Sequence, residues 1–305
     1  MKLQNNLYMS NRTLAFFAAL IATTIYGLNH TIAKGLMPTY IEPYGLILVR
    51  VIGASLLFWA ISCFGPKEKI AIRDWKRLFV CAFFGMGINM LAFFKGLSLS
   101  TPVNSSIIIT ISPILVFLMS ALIVKEKITL IRYFGIALGF TGALALILFS
   151  SETQQNAPNI PLGNMLFVVN STTYGLYLIL VKPLTNKYHP FTIMKWLFLM
   201  GIFINFPIAI SEFNAVNWSS LPFEAIWKIC FVVVGTTFLT YLLNIFALKE
   251  LKASTLSVFI YLQPIIGILY AVIIGADSLN LLKIITALFI FAGVYLVSKT
   301  PKLKV

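Results

Sequence analysis

Ten long apolar runs, separated by short polar segments, dominate the chain. They cover approximately residues 13–34, 44–64, 77–97, 104–124, 130–149, 161–182, 191–211, 225–248, 254–274 and 280–298. Each run approaches or exceeds the roughly 20 apolar residues that a helix needs to cross a lipid bilayer. The longest connections, near residues 65–76, 150–160 and 212–224, are too short to hold a soluble domain. The pattern therefore predicts an all-α integral membrane protein with ten transmembrane helices.

The composition supports lipid as the surrounding medium. Of 305 residues, 59% are hydrophobic and 10% are charged, whereas a soluble domain carries about 25% charged residues. The net charge of +14 does not indicate a nucleic-acid surface, because the basic residues fall in short segments between apolar runs. We therefore expect the lipid bilayer as a partner and no nucleic acid. The oligomeric state is open, and a monomer is plausible.

The distribution of Lys and Arg predicts the orientation. With the N-terminus in the cytoplasm, 17 of the 23 basic residues fall on the cytoplasmic side, 4 at the outer ends and 2 inside spans. Because cytoplasmic loops carry the excess of Lys and Arg, both termini are predicted to be cytoplasmic. The first apolar run is long enough to be a retained span rather than a cleaved signal peptide. We expect a multi-pass protein of the cell membrane, which in a bacterium is the inner (cytoplasmic) membrane.

The two halves of the chain repeat each other. The stretch "TTIYGLNHTIAKG" (residues 23–35) recurs in frame as "STTYGLYLILVKP" (residues 171–183), 148 residues later. A second correspondence, 151 residues apart, pairs Pro113 with Pro264 and Gly142 with Gly293. Because each half holds five helices, an odd number, the second half must enter the membrane inverted, as in many secondary transporters. We predict a first repeat over residues 1–150 (helices 1–5) and a second, inverted repeat over 151–305 (helices 6–10).

Two longer segments carry a family resemblance, "ISPILVFLMSALIVKEKITLIRYFGIALGFTGA" and "LQPIIGILYAVIIGADSLNLLKIITALFIFAGV". The chain resembles the EamA-type transporters of the drug/metabolite transporter superfamily over nearly its whole length. The resemblance implies ten helices and transport of small molecules, frequently export, without implying a particular cargo. "KE" and "AD" stand where the family often has "GE". The residues matching the family's helix proline, helix-end acid and packing glycine are Pro113 and Pro264, Glu126 and Asp277, and Gly142 and Gly293.

The paired prolines predict kinked helices. A proline lacks an N–H, so the carbonyl four residues earlier, at Ile109 or Ile260, loses its helical partner. In lipid such a carbonyl must be buried in protein or face water. We therefore expect Pro113 and Pro264 to kink helices that line a central cavity, with packing alone as the alternative. The polar neighbours proposed to bind substrate are Thr110 in the first repeat, and Tyr261 and Gln263 in the second.

The repeated stretch in helices 1 and 6 supplies further candidates. Tyr26 and His30 are four residues apart and share one helical face, with Asn29 beside them. Tyr174 and Tyr177 occupy the equivalent helix. Polar side chains within a membrane usually face the bundle interior, so we assign all five to substrate binding. The alternative for His30 is a neutral ring bonded to a neighbouring helix.

Amides and deep cations complete the candidate set. Asn89 and Asn244, with Tyr241, lie in corresponding spans, and an amide suits either a zwitterionic cargo or interhelical bonding. Lys95 is either a cavity cation for a carboxylate or phosphate, or a snorkelling anchor. Arg50 and Lys195, in the second and seventh spans, lie deeper than typical loop charges. Each needs a water path, a headgroup or a partner carboxylate, which for Arg50 could be that of Glu42.

Charged residues at helix ends read as structural. Lys34 and Lys182 read as interface anchors that reach headgroup water. Glu126 and Asp277 are expected to cap the following helix, since acids favour helix N-termini, or to pair with basic residues at a gate. Both roles outweigh direct cargo binding.

Together these features favour a secondary transporter of small organic solutes. Amino acids or related metabolites are the leading cargo, with export of amphipathic drugs as the alternative and an intramembrane enzyme as a distant one. No catalytic residue, metal site or cofactor is expected, because the sequence has no HExxH motif, Walker loop or Cys/His cluster. If protons are coupled, His30 is the candidate, since histidine alone titrates near neutral pH when unperturbed.

Overall fold

The computed structural model describes residues 11–124, 128–150, 156–251, 259 and 262–298. Within these residues nine helices are long and apolar enough to cross a membrane, and a shorter apolar helix, Leu262–Ile273, lies in the predicted ninth span. The prediction of an all-α, ten-helix membrane protein is confirmed.

The helices follow the ten apolar runs closely. Several begin at a proline in the first turn, including Pro43, Pro102 and Pro190, where the missing N–H costs nothing. The third helix begins at Ile72, five residues before the apolar run, because its first turn carries charged side chains. The ten helices are α1 Asn11–Lys34, α2 Pro43–Ser62, α3 Ile72–Leu99, α4 Pro102–Ile109 with Ser112–Val124, α5 Leu130–Phe149, α6 Ile160–Thr185, α7 Pro190–Ala215, α8 Phe223–Cys230 with Phe231–Leu239 and Thr240–Glu250, α9 Leu262–Ile273, and α10 Leu281–Ser298.

The packing of the helices repeats between the two halves. Helix α1 packs against α8 and α9, and its counterpart α6 packs against α3 and α4. Helix α2 packs against its counterpart α7, α5 against α10, and α4 against α9. Each of these contacts has an equivalent under exchange of the two halves, as expected for two inverted five-helix repeats.

Glycines at repeated positions let these pairs approach closely. A Cβ on Gly27 would lie 2.8 Å from the Gln263 carbonyl oxygen of α9, and one on Gly175 would lie 2.5 Å from Met119 of α4. The "YG" pair in each of the repeated stretches, residues 23–35 and 171–183, therefore lies at an equivalent helix crossing. Gly142 and Gly293 likewise hold α5 against α10, where added Cβ atoms would lie 2.9 and 2.6 Å from the facing helix.

A π-helical segment interrupts α3 at Phe83–Ile88 and α8 at Phe231–Leu239, 148 residues apart. Such segments shift the backbone ladder, so carbonyls need other donors. Asn205 of α7 donates to the Met86 carbonyl at 2.9 Å, and Thr236 and Thr237 donate to the Val232 carbonyl at 2.5 and 3.0 Å. This repeated feature was not predicted from the sequence.

The bundle has two ends, named here after a residue at each. At the Asp74 end, the Asp74 carboxylate accepts hydrogen bonds from Lys187 at 3.0 Å and Tyr188 at 2.8 Å, joining α3 to the α6–α7 connection. The Lys34 end holds the last residue of α1, the start of α4 and the connection between α9 and α10. The candidate site lies between these two ends.

Candidate functional site

Four tyrosines from α1, α6 and α8 meet inside the bundle. Tyr26, Tyr174, Tyr177 and Tyr241 all lie within electrostatic range of one another. The rings of Tyr174 and Tyr177 are 6.1 Å apart, and the Tyr177 ring lies against Gly85 in the π-helical segment of α3. We call these four residues the tyrosine cluster. It brings together four of the predicted substrate-binding residues.

Open space adjoins the tyrosine cluster. Tyr174 is 41% exposed although its neighbours include the other three tyrosines. Among the described residues, the hydroxyls of Tyr174, Tyr177 and Tyr241 have no hydrogen-bond partner, and those of Tyr177 and Tyr241 are not fully buried. A phenol hydroxyl left free in this way can donate to and accept from a small solute.

Arg50 of α2 lies beside the tyrosine cluster. Its Nε donates to the Thr237 hydroxyl in the π-helical segment of α8 at 2.7 Å. Its guanidinium carbon lies 5.5 Å from the centroid of the Phe94 ring, and Tyr26 and Tyr241 are within electrostatic range. The sequence marked Arg50 as a deep charge, but the predicted substrate-binding set omitted it. The suggested partner Glu42 instead precedes the first turn of α2 as its N-cap.

The kink at Pro113 forms as expected. Helix α4 is interrupted at residues 110–111, and the Ser112 hydroxyl donates to the freed Ile109 carbonyl at 2.6 Å. Thr110 donates to the Ser106 carbonyl of its own helix at 2.9 Å. Pro264 is buried in α9.

Of the two candidates near the start of α9, the structure describes Gln263 but not Tyr261. The Gln263 side chain has no hydrogen-bond partner within the described residues, and its carbonyl faces Gly27. Tyr261 lies outside the described residues. Its assignment to substrate binding stays a prediction.

His30 and Asn29 lie in packed surroundings nearer the Lys34 end than the tyrosine cluster. His30 is 3% exposed, its Nδ1 is 2.7 Å from the Ser105 hydroxyl of α4, and its ring meets Phe93 edge-on at 5.6 Å. The Ser105 hydroxyl also donates to the Pro102 carbonyl at 2.9 Å, so its single proton is used and His30 Nδ1 is assigned as the donor. The Oδ1 atom of Asn29 is buried without a partner. The arrangement corresponds to the interhelical alternative for His30.

The two amide candidates have different surroundings. Asn89 donates to the Asn170 carbonyl at 2.9 Å, and Asn170 returns a bond to the Asn89 carbonyl at 3.0 Å. This reciprocal pair joins α3 to α6 and engages the Asn89 amino group. Asn244 makes no hydrogen bond within the described part of the chain.

The contacts of Lys95 and Lys34 are with residues outside the tyrosine cluster. Lys95 lies over the Tyr44 ring at 5.7 Å. Lys34, expected to point outward, instead turns inward and donates to the Leu97 and Ser98 carbonyls at 2.7 and 2.9 Å, and also to Asn156. Carbonyls at a helix C-terminus attract cations, so Lys34 fastens α1 to the end of α3. The expectation of a snorkelling Lys34 was wrong.

Asp277 closes the Lys34 end. Its Oδ1 accepts from Lys283 Nζ at 2.7 Å and from the Ser278 amide, while Oδ2 accepts from the Val103 amide at 3.1 Å. The Asp277 side chain is 0% exposed and that of Lys283 is 7% exposed. Asp277 therefore caps α4 of the other repeat, rather than the following helix, while Asn280 accepts from the Lys283 amide at the start of α10. Its counterpart Glu126 lies outside the described residues.

Each end of the bundle also carries a depression. At the Lys34 end a cavity of about 200 Å³ includes Lys34, Lys228 and Thr31, whose hydroxyl is buried without a partner. At the Asp74 end a basic groove of about 420 Å³ includes Arg73 and Arg77. No group of three His, Cys, Asp or Glu side chains suited to a metal occurs within the described residues.

Comparison with known proteins agrees with this architecture. The EamA-like transporter family matches residues 13–148 and again residues 161–299. An uncharacterized transporter of Archaeoglobus fulgidus is 24% identical, covering 91% of this chain and 96% of that protein. WAT1-related protein At3g18200 of Arabidopsis thaliana is 24% identical over 93% of this chain and 79% of its own length. A solved crystal structure with 17% identity covers 95% of this chain and 96% of its own with a TM-score of 0.61, and this likeness shows the fold alone. The chain therefore belongs to the EamA-like transporter family.

Proposed function

We propose that the protein is a secondary transporter that moves small organic solutes, amino acids or related metabolites, by alternating access around the tyrosine cluster. One observation carries the proposal. The equivalent helices α1 and α6 present Tyr26 and Tyr174 to the same space, where hydroxyls without protein partners adjoin a guanidinium. A site shared by both repeats is what an exchange between two pseudo-symmetric states requires.

The closed Lys34 end supports a gated path. Asp277 joins the two repeats there through its buried hydrogen bond to the Val103 amide, and Lys34 does so through its bond to the Asn156 carbonyl. If the two repeats exchange conformations, these bonds break when the Lys34 end opens, while those of Asp74 with Lys187 and Tyr188 hold the other end together. With the predicted orientation, both termini are cytoplasmic and the Lys34 end faces outward. The described arrangement is then closed to the outside, and export begins with cargo entering from the cytoplasm.

The tyrosine cluster suits a zwitterionic cargo. Phenol hydroxyls bond either donors or acceptors, and the faces of tyrosine rings attract ammonium groups. The same rings also suit an amphipathic drug. One flux experiment can therefore distinguish a zwitterionic cargo from an amphipathic drug.

Flux through purified protein in proteoliposomes tests the proposal. Counterflow of radiolabelled amino acids, nucleobases and cationic dyes is measured with and without a pH gradient. We expect an amino acid to exchange, and Tyr174→Phe to slow it by about tenfold through loss of a hydrogen bond to the solute. Tyr295→Phe is the matched control, because Tyr295 lies on α10 and is 64% exposed.

Two results would count against parts of this proposal, and a third bears on the proton coupling that the sequence left open for His30. Exchange of dyes alone would replace amino acids with amphipathic drugs as cargo. Equal flux in Tyr174→Phe and Tyr295→Phe would remove the tyrosine cluster from the path. Flux that ignores the pH gradient would exclude proton coupling through His30.

A further inference from the structure

Arg50 has more hydrogen-bonding capacity than its surroundings use. Only Nε has a protein acceptor, the Thr237 hydroxyl at 2.7 Å. Among the described residues neither terminal amino group has an acceptor, and neither is fully buried. A guanidinium presents five N–H donors in a planar fork. The terminal amino groups therefore keep unused N–H donors within electrostatic range of Tyr26 and Tyr241 of the tyrosine cluster.

No carboxylate described in the structure neutralises Arg50. Glu42 lies eight residues earlier, roughly 12 Å away along the helix axis, and the groups within electrostatic range of Arg50 are phenols. The other acids with described side chains bond to partners elsewhere. These are Glu68 with the His189 amide, Asp74 with Lys187, Glu212 with the Tyr44 and Gly45 amides, Glu224 with Lys228, and Asp277 with Lys283.

The remaining acids do not fall within a span by sequence. Glu126 and Glu152 lie in the connections that follow α4 and α5, and Glu250 is the last residue of α8. Arg50, in contrast, is the eighth residue of α2, about 10 Å beyond its start. A lone cation at membrane depth is costly and usually marks a substrate or ion path.

We propose that Arg50 is the carboxylate-binding residue of the central site and that the transported solute carries a carboxylate. The proposal rests on the transport function proposed above and names the chemical class of its cargo. A carboxylate matches the free edge of the guanidinium, which can donate two parallel hydrogen bonds to its two oxygens. Tyr26 and Tyr241 lie within electrostatic range of the same cation, and the Tyr241 hydroxyl, which has no partner among the described residues, can complete the coordination.

Thr237 orients this fork. Its hydroxyl accepts from Arg50 Nε and donates to the Val232 carbonyl at 3.0 Å, a carbonyl of the π-helical segment. The guanidinium carbon of Arg50 also lies over the Phe94 ring, 5.5 Å from its centroid. With Nε held in this way, the terminal amino groups are pre-aligned for a ligand, which lowers the entropic cost of binding. Thr237 is thus a positioning residue.

A charge-selective labelling experiment tests the proposal without relying on transport. Cys63, Cys81 and Cys230 are replaced by serine, and Tyr241→Cys introduces one thiol beside Arg50. The rates of reaction with an anionic sulfonate and a cationic trimethylammonium methanethiosulfonate are compared in purified full-length protein. With Arg50 present we expect the anionic reagent to be favoured. Arg50→Gln should lower the ratio of anionic to cationic rates by about tenfold or more, while Arg50→Lys should keep it.

Competing solutes identify the ligand group. Amino acids and dicarboxylates should slow the anionic reagent, whereas the corresponding carboxamides should not, and Arg50→Gln should remove the protection. Equal rate ratios with Arg50 and with Arg50→Gln would overturn the proposal, as would equal protection by acids and amides. Failure of both reagents to react would also overturn it, since no accessible space would then adjoin Arg50. Flux that fails while labelling behaves as expected would instead count against the proposed transport.

Discussion

Replacement of Asp277 by asparagine should open the Lys34 end. The change keeps the shape of the side chain but removes the negative charge that neutralises Lys283, leaving a cation that is 7% exposed without a counter-charge. Breaking a buried ion pair by removing one partner costs about 3–5 kcal/mol. The Val103 amide keeps a weaker, neutral acceptor. The bond to Lys283 lies within one repeat, so its loss weakens the closed and the open state alike. The bond to the Val103 amide joins the two repeats and exists only while this end is closed, so its weakening falls on the closed state.

The size of this loss sets the expected signal. A hydrogen bond to a charged group contributes about 1.5–3 kcal/mol, and each 1.36 kcal/mol is a factor of about ten in an equilibrium constant, so weakening the bond to the Val103 amide shifts the closed-to-open ratio by up to roughly 100-fold. Ser106→Cys reports the shift, because Ser106 is 2% exposed and its hydroxyl lies against Gly267 where α4 meets α9. In a background without native cysteines, we expect this thiol to be protected with Asp277 present and to react in Asp277→Asn.

Two controls separate opening from unfolding. Asp74→Asn makes the same chemical change at the other end, where Lys187 is 41% exposed, and should leave Ser106→Cys protected. Adding Lys283→Met to Asp277→Asn removes the unpaired charge and should restore much of the thermal stability measured in detergent. The reasoning would be refuted if Asp277→Asn and Asp74→Asn gave the same slow labelling of Ser106→Cys.

Two further predictions concern the fold and use thermal unfolding in detergent as the measurement. Gly27→Ala should lower the free energy of unfolding by about 1–3 kcal/mol, because the new Cβ would lie 2.8 Å from the Gln263 carbonyl, whereas Gly235→Ala should be tolerated since its nearest neighbour is 3.5 Å away. Ser112→Ala should cost about 1–3 kcal/mol by leaving the Ile109 carbonyl without its donor. The predictions would be contradicted if Gly27→Ala and Gly235→Ala were equally stable, or if Ser112→Ala were as stable as the unsubstituted protein.

The spans and the kink were predictable because lipid imposes them locally. A helix in lipid must be apolar along its whole length, so each span is visible in the pattern of its own residues. The kink at Pro113 follows from chemistry within one turn, and Ser112 stands close enough to satisfy the Ile109 carbonyl. Gly27 and Gly175 were visible as a repeated pair, and the structure adds the helices that they approach.

The remaining features depend on partners that are distant in the sequence. The segments Phe83–Ile88 and Phe231–Leu239 are uniformly apolar apart from two threonines, and nothing in their pattern separates π-helix from α-helix. Lys34 turns inward because the carbonyls of Leu97 and Ser98 lie within reach, a fact of tertiary packing. Arg50 was noticed as a charge in a span, but its orientation depends on Thr237 in the other repeat.

The repeats also explain why the candidate site must be uneven. Alternating access benefits from two equivalent halves, and the helix contacts, π-helical segments and crossing glycines are indeed shared. A solute with one carboxylate, however, has no symmetry for two identical subsites to match. At the positions of α7 that are equivalent to Arg50 in the inverted repeat lie Leu197 and Phe198, both 0% exposed. Lys195 of α7 lies over the Trp59 ring at 5.0 Å and has no contact with the tyrosine cluster among those described. Symmetry in the backbone thus supports the exchange of states, while Arg50, whose equivalent positions are apolar, gives the cargo one orientation.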